Sequence, residues 1–218
     1  MFRDGFFQIG TWRGIPLRVH WSTPLGALLF SRFEFAPAFW LAFILLILFH
    51  EMGHALVVRH LGGKVYSLDV SALGGLCRWA GHISPIGRAC IAWGGVWAQL
   101  LLFAGTHLAI AVHGAPSNHA MGDLVYVFTL TNVWVMLLNL LPVPPLDGAE
   151  AWRLFPLLKY RWQRRRSAAR AAKATAKLLN YGRQLDNGIE ARLGEPAAEI
   201  NATVAELFEE LKNERYKH

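Results

Sequence analysis

Residues 39–54 read FWLAFILLILFHEMGH, and this stretch decides how the chain folds. Eleven apolar residues, Phe39–Phe49, run without a break into His50, Glu51 and His54. A helix apolar on every side has no solvent face, so it belongs in a bilayer or a large core. Ionisable residues at its end are costly there and mark function. The spacing is that of H-E-x-x-H. On a helix, positions i and i+4 share a face one turn apart. Two imidazoles so placed can both ligate one tetrahedral zinc ion, and the intervening Glu can serve as general base on water.

Working outward, the helix is expected over 37–58. Residues 89–113 and 122–141 are further apolar stretches long enough to span a bilayer. Trp21–Phe30 is shorter, and a fourth span is expected near 21–35. The composition agrees. Of 218 residues, 54% are apolar and 17% charged, against a usual quarter charged, and there are nine tryptophans. Mean hydropathy is positive. No apolar run marks a cleavable leader in residues 1–20, so insertion is expected through internal helices. Two cysteines, Cys77 and Cys90, are too few for a disulfide framework.

Charge asymmetry orients the chain. Arg3, Arg13 and Arg18 precede the first expected span. Arg59, Lys64, Arg78 and Arg88 lie between the second and third, and 14 of the 22 Lys and Arg fall in 149–218. The connections near 31–37 and 114–121 hold only Arg32. With four spans every basic segment lies on one side, which places both termini in the cytoplasm. Residues 61–88 are glycine-rich and alternate around Val65–Val70, with Gly74-Gly75 as a turn, so a small β-hairpin or sheet is expected at the cytoplasmic membrane surface. The fold class is thus an all-α polytopic membrane protein: a transmembrane core over 1–150 and a helical cytoplasmic tail over 151–218. In the tail, Ser167–Leu179 is basic and helical. A second helix opens at Glu195-Pro196, with Ile200, Val204, Leu207, Phe208 and Leu211 on one face. The basic stretch Arg161–Lys177 serves topology ahead of anionic lipid, and nucleic acid ranks last.

A catalytic zinc site needs a third protein ligand. Asp123 lies at the far end of its span and Glu34 in an external connection. Asp147 follows the last span on the side of His54. Around it, Asn139-Leu-Leu-Pro142-Val-Pro144-Pro145-Leu-Asp147-Gly148 cannot continue a helix, and unwound backbone at membrane depth is tolerated where it lines a polar site.

The pair of motifs resembles the site-2 protease family of intramembrane zinc metalloproteases. His50, Glu51 and His54 match its H-E-x-x-H helix. Asn139, Pro142, Asp147 and Gly148 match its N-x-x-P-x-x-x-x-D-G segment. GIPLRVHWS within Gly10–Ser22 and the Gly74-Gly75 pair are similar to further parts, so the resemblance covers roughly residues 8–150. The chain resembles the compact form without a PDZ module. It departs from the family at G-x-x-x-N, where Gly95-Val-Trp-Ala-Gln99 ends in Gln.

The resemblance implies one Zn²⁺ per chain on His50, His54 and Asp147, with Glu51 catalytic. It implies a substrate region that includes Asn139, Gly95, Gln99, Gly74 and Gly75. The expected activity is cleavage of transmembrane segments of single-span proteins, with residues 65–80 as an edge that pairs with the unwound substrate. The expected setting is a bacterial-type inner or plasma membrane. Partners are the bilayer and the substrate segment, an oligomer is possible, and no nucleic acid is expected. Two alternatives stand. A non-proteolytic membrane metalloprotein or scaffold would not need Glu51. A prenyl-protein type of protease would use a Glu in place of Asp147.

Overall fold

The computed structural model describes residues 5–72, 74–188 and 197–215. The chain divides into two compact units, Met1–Phe155 and Pro156–His218.

Three helices in the first unit are long and apolar enough to cross a membrane: α2 (Pro37–His60), α3 (Pro85–His113) and α4 (His119–Asn139). Each start has a local cause. Pro37 opens α2 with a φ already suited to a helix. Ser84 caps α3 by accepting from the Gly87 N–H, ahead of Pro85, and Asn118 caps α4 by accepting from the Met121 N–H. α2 is the central helix: 61% of its apolar window is buried in the protein, against 17% for α3 and 22% for α4. The outer faces expose Leu45, Phe49, Leu101, Leu108, Trp134 and Leu137, as a bilayer requires. α4 contains a π-helical turn, Val127–Thr131, immediately before the buried Asn132.

The stretch expected as a fourth span differs. Its helix, α1, covers only Thr23–Phe30, and turns follow through Phe33. Eight residues rise about 12 Å, well short of a hydrocarbon core of about 30 Å. The β structure is correspondingly larger than a hairpin. Strands β1 (Phe6–Trp12), β2 (Ile15–His20), β3 (Lys64–Ser71) and β4 (Gly74–Ala80) form one sheet in the order β1-β2-β3-β4. β2 and β3 run parallel, and the other two pairs are antiparallel. Arg13 and Gly14, both at positive φ, make the two-residue turn between β1 and β2.

This sheet lies along α2. Ile15 and Leu68 pack with Met52 and Ala55, whereas Leu17, Val19 and Val70 pack with Phe43, Leu46 and Ile47. β2 therefore carries the chain back along α2 toward its middle, where Thr23 Oγ1 donates to the Val70 carbonyl (3.1 Å) and α1 takes over. The α1 helix ends with Phe30 against Phe43. On the other sheet face the buried Asp69 is clamped by Arg18 (2.7 Å to each oxygen) and by Arg78 (2.7 Å), which ties β2, β3 and β4 together.

In the second unit, α6 (Leu154–Gly188) is longer than the expected helix, and α7 (Ala197–Arg215) folds back on it. Ile200 and Val204 line one cavity with Tyr181, and Leu207 and Leu211 line another with Ala174. Phe208, expected on the same face, is exposed. The expected opening at Glu195-Pro196 lies outside the described residues.

α2 and α3 touch backbone to backbone where Gly53 meets Gly94: a Cβ on Gly53 would strike the Gly94 carbonyl, and one on Gly94 would lie 2.7 Å from the Gly53 carbonyl. Gly53→Val should therefore destabilise the fold by about 1–3 kcal/mol, read as a lower unfolding midpoint in detergent. A wild-type midpoint would contradict this packing.

Candidate active site

His50, Glu51 and His54 are all buried on α2. His50 Nδ1 donates to Gln99 Oε1 on α3 (3.0 Å), and His54 Nδ1 donates to the Ile91 carbonyl, also on α3 (2.7 Å). With the Nδ1 protons so used, both Nε2 lone pairs are free. They converge 3.0 Å apart. Gly95 makes this possible, because a Cβ there would collide with the His50 ring.

Asp147 completes the cluster. Its Oδ2 lies 2.8 Å from His50 Nε2 and 3.1 Å from His54 Nε2. The unwound segment after Asn139 brings it there, and the short α5 (Gly148–Ala151) follows at once. Gly148 has no room for a side chain against the Leu140 and Leu141 carbonyls. Trp93 Nε1 donates to the Ala151 carbonyl (3.0 Å), Trp152 Nε1 donates to the Leu140 carbonyl (2.7 Å), and Arg88 pairs with Glu150 (3.4 Å). These contacts strap the segment to α3 and close it on itself.

Two imidazole nitrogens and a carboxylate oxygen within 3.1 Å of one another are the donor set of a zinc site. A tetrahedral ion with bonds of about 2.0–2.1 Å would set them roughly 3.3 Å apart, so only small shifts are needed. The residues fit the metal.

The cluster opens into a cavity of about 430 Å³. His50, Glu51 and His54 form one side, β4 from Gly74 to Cys77 a second, and Asn139 with Pro145–Asp147 a third. β4 pairs with β3 along one edge and is the last strand of the sheet. It comes so close to α2 that a Cβ on Gly75 would overlap the Glu51 side chain. A backbone hydrogen bond from Cys77 also reaches Glu51. The Cys77 thiol is pushed up to about 12 by burial first and by the Glu51, Asp69 and Asp147 carboxylates next.

The fold and the sequence have relatives. A sequence model described as Peptidase M50B-like matches residues 25–188. This chain belongs to that family. A Mycobacterium tuberculosis protein named as a zinc metalloprotease, Rip3, is 30% identical to this M50B-like chain over 189 residues, in strains Erdman and H37Rv alike. The match takes in 78% of the chain but 47% of Rip3, so the chain spans about half the length of these relatives. The site-2 protease of Methanocaldococcus jannaschii shares the fold at a TM-score of 0.51 and 21% identity, over 84% of this chain and 87% of that one. The M50B-like chain thus has a membrane-integral fold of site-2 protease type.

Among the sequence-selected residues, the structure gathers His50, His54, Asp147, Glu51, Asn139, Gly74 and Gly75 around the cavity. Asn139 Nδ2 lies 3.4 Å from His50 Nε2. Gly95 and Gln99 lie behind His50 instead, and neither lines the cavity. Asn132 is likewise a packing residue here: its Nδ2 donates to the Gln99 carbonyl (2.9 Å) and the Phe128 carbonyl (3.1 Å). Sequence reading missed the Ile91 carbonyl, which carries no side-chain signal, and the Trp93 and Trp152 straps. Trp152, five residues after Asp147, was the available hint, since an indole N–H seeks an acceptor; Trp93 lies far off in sequence on α3.

Two outcomes follow for metal binding. Asp147→Asn should leave zinc substoichiometric after dialysis, measured by elemental analysis. Gln99→Leu should weaken zinc about 10–100-fold in chelator competition by freeing the His50 ring, and Gln99→Asn less so. Unchanged affinity in Gln99→Leu would mean that packing alone orients His50.

Proposed function

We propose that this chain is an intramembrane zinc endoprotease that hydrolyses peptide bonds within or beside transmembrane segments of single-span membrane proteins. The observation that carries the reading is the placement of Glu51. It is a buried carboxylate beside the His50, His54 and Asp147 cluster, inside a cavity walled by the last strand of a sheet.

His50, His54 and Asp147 would hold zinc, which supplies Lewis acidity toward water and the scissile carbonyl. Glu51 accepts a proton from the attacking water and returns it to the leaving amine. Asn139 Nδ2 donates a hydrogen bond to the substrate backbone or to the developing oxyanion. A transmembrane helix has its amides paired and must unwind before it can be cut. The outer edge of β4 offers main-chain partners for an extended strand, and it runs past Glu51. Gly75 lets that strand and the base share the same space.

The same reading covers topology. One sheet holds both β2 and β3, so the chain must leave and return to it between His20 and Lys64. A crossing by α2 then requires a second crossing, made by residues 21–36 with β2 already part-way along α2. That supports four passes, with the basic segments and both termini on the cytoplasmic side of an inner or plasma membrane.

Glu51→Gln, purified with zinc and reconstituted with a model transmembrane substrate, should retain the metal and lose activity by at least about 10²-fold. Full activity with zinc retained would sink the mechanism. Gly75→Val should bind zinc normally yet cleave poorly, because its side chain displaces Glu51 and narrows the β4 wall. Wild-type turnover would remove β4 from the reaction.

A further inference from the structure

The second unit carries a surface that peptide cleavage does not use. From Lys159 to Lys177, α6 holds eight basic residues and no acidic one. The C-terminal part of this run is partly neutralised. Arg170, Lys173 and Lys177 share a cavity of about 510 Å³ with Glu210, Leu207 and Leu211 of α7. The N-terminal part lacks such cover. Among the described residues, no acidic side chain is within ion-pair reach of Arg161, Arg164, Arg165 or Arg166. Arg166 lies over the Trp162 ring (4.0 Å) and Arg164 over the Tyr160 ring (5.8 Å).

The pattern around the helix is specific. Leu158 and Trp162 sit one turn apart on one face, and both are exposed. At 100° per residue, Arg161 and Arg165 flank that face on one side, and Lys159 and Arg166 flank it on the other. An exposed apolar ridge between two rows of cations matches the boundary between phospholipid headgroups and acyl chains. Ring and aliphatic groups enter that boundary, and long basic stems reach back to the phosphates. A nucleic acid offers the phosphates without an apolar phase for Leu158.

Continuity of the chain points the same way. Residues 140–153 join the last candidate span to α6, so its start can lie at most roughly 50 Å from the span end. A bilayer surface is therefore always within reach at high effective concentration.

We propose that residues 158–166 dock on an anionic phospholipid surface, with Leu158 and Trp162 at headgroup depth and Lys159, Arg161, Arg165 and Arg166 against lipid phosphates. The test is hydrogen exchange of the full chain in nanodiscs of phosphatidylcholine, alone or with 30% phosphatidylglycerol. Amides of 158–166 should exchange at least about fivefold more slowly in the anionic discs, since each basic residue near such a surface contributes about that factor. The variant R161Q/R164Q/R165Q/R166Q should abolish the difference. W162S should reduce it while the slowing stays dependent on phosphatidylglycerol. Equal exchange in the two bilayers, or slowing that the four-arginine variant retains, overturns the proposal. Protection by a single-stranded oligonucleotide in neutral discs, with none from phosphatidylglycerol, overturns it in favour of a nucleic-acid surface.

Discussion

Three ionisable side chains on one buried helix cannot be left unpaired in an apolar interior, and most of the first unit answers that constraint. His50 and His54 each use one ring nitrogen on α3, through Gln99 and the Ile91 carbonyl. That demands a close α2–α3 approach, supplied by Gly53, Gly94 and Gly95. The opposite nitrogens are met by Asp147, which reaches them because the chain unwinds after Asn139 and is strapped back by Trp93 and Trp152. Glu51 is met by the β4 backbone. Remove the polar residues of α2 and little of this architecture has a physical reason.

The parts legible in the sequence were those with a local signature. Apolar runs located α2, α3 and α4 to within a few residues, because hydrocarbon length sets span length. Alternation located β3, but Gly74-Gly75, expected as the turn, are the first two residues of β4 and pair with Ser71 and Val70. The spacing of His50 and His54 on a helix, and the prolines before Asp147, brought out the metal-ligand candidates. What stayed hidden depends on long-range placement. The β1–β2 hairpin went unread, and the parallel pairing of β2 with β3 across an intervening helix pair has no local trace. Gln99 illustrates the same limit: the side-chain direction on α3 that brings it to His50 Nδ1 has no trace in the sequence.

The two units follow different rules. In the first, buried polar groups are few and mostly matched, although Gln99 Nε2 and Asn132 Oδ1 are buried without a hydrogen-bond partner among the described residues. The second is helical and strongly charged, and Ala174 and Tyr181 of α6 line cavities shared with Ile200, Val204 and Leu207 of α7. The Asp69 clamp belongs to the first kind. One carboxylate holds two guanidiniums from neighbouring strands, so the strand beside Glu51 is fixed by ions as well as by ladder bonds.

The course of the sheet along α2 has one more consequence. A strand edge in hydrocarbon leaves peptide groups unsatisfied at a cost of several kcal/mol each. On the proposed function, with β4 at that depth, its open edge requires a wet cavity, so hydration of the resting strand and supply of the hydrolytic water would be one requirement. An incoming chain pairing with β4 would take over those hydrogen bonds. Solvent entry would then be a condition for the sheet itself, before it is a condition for turnover.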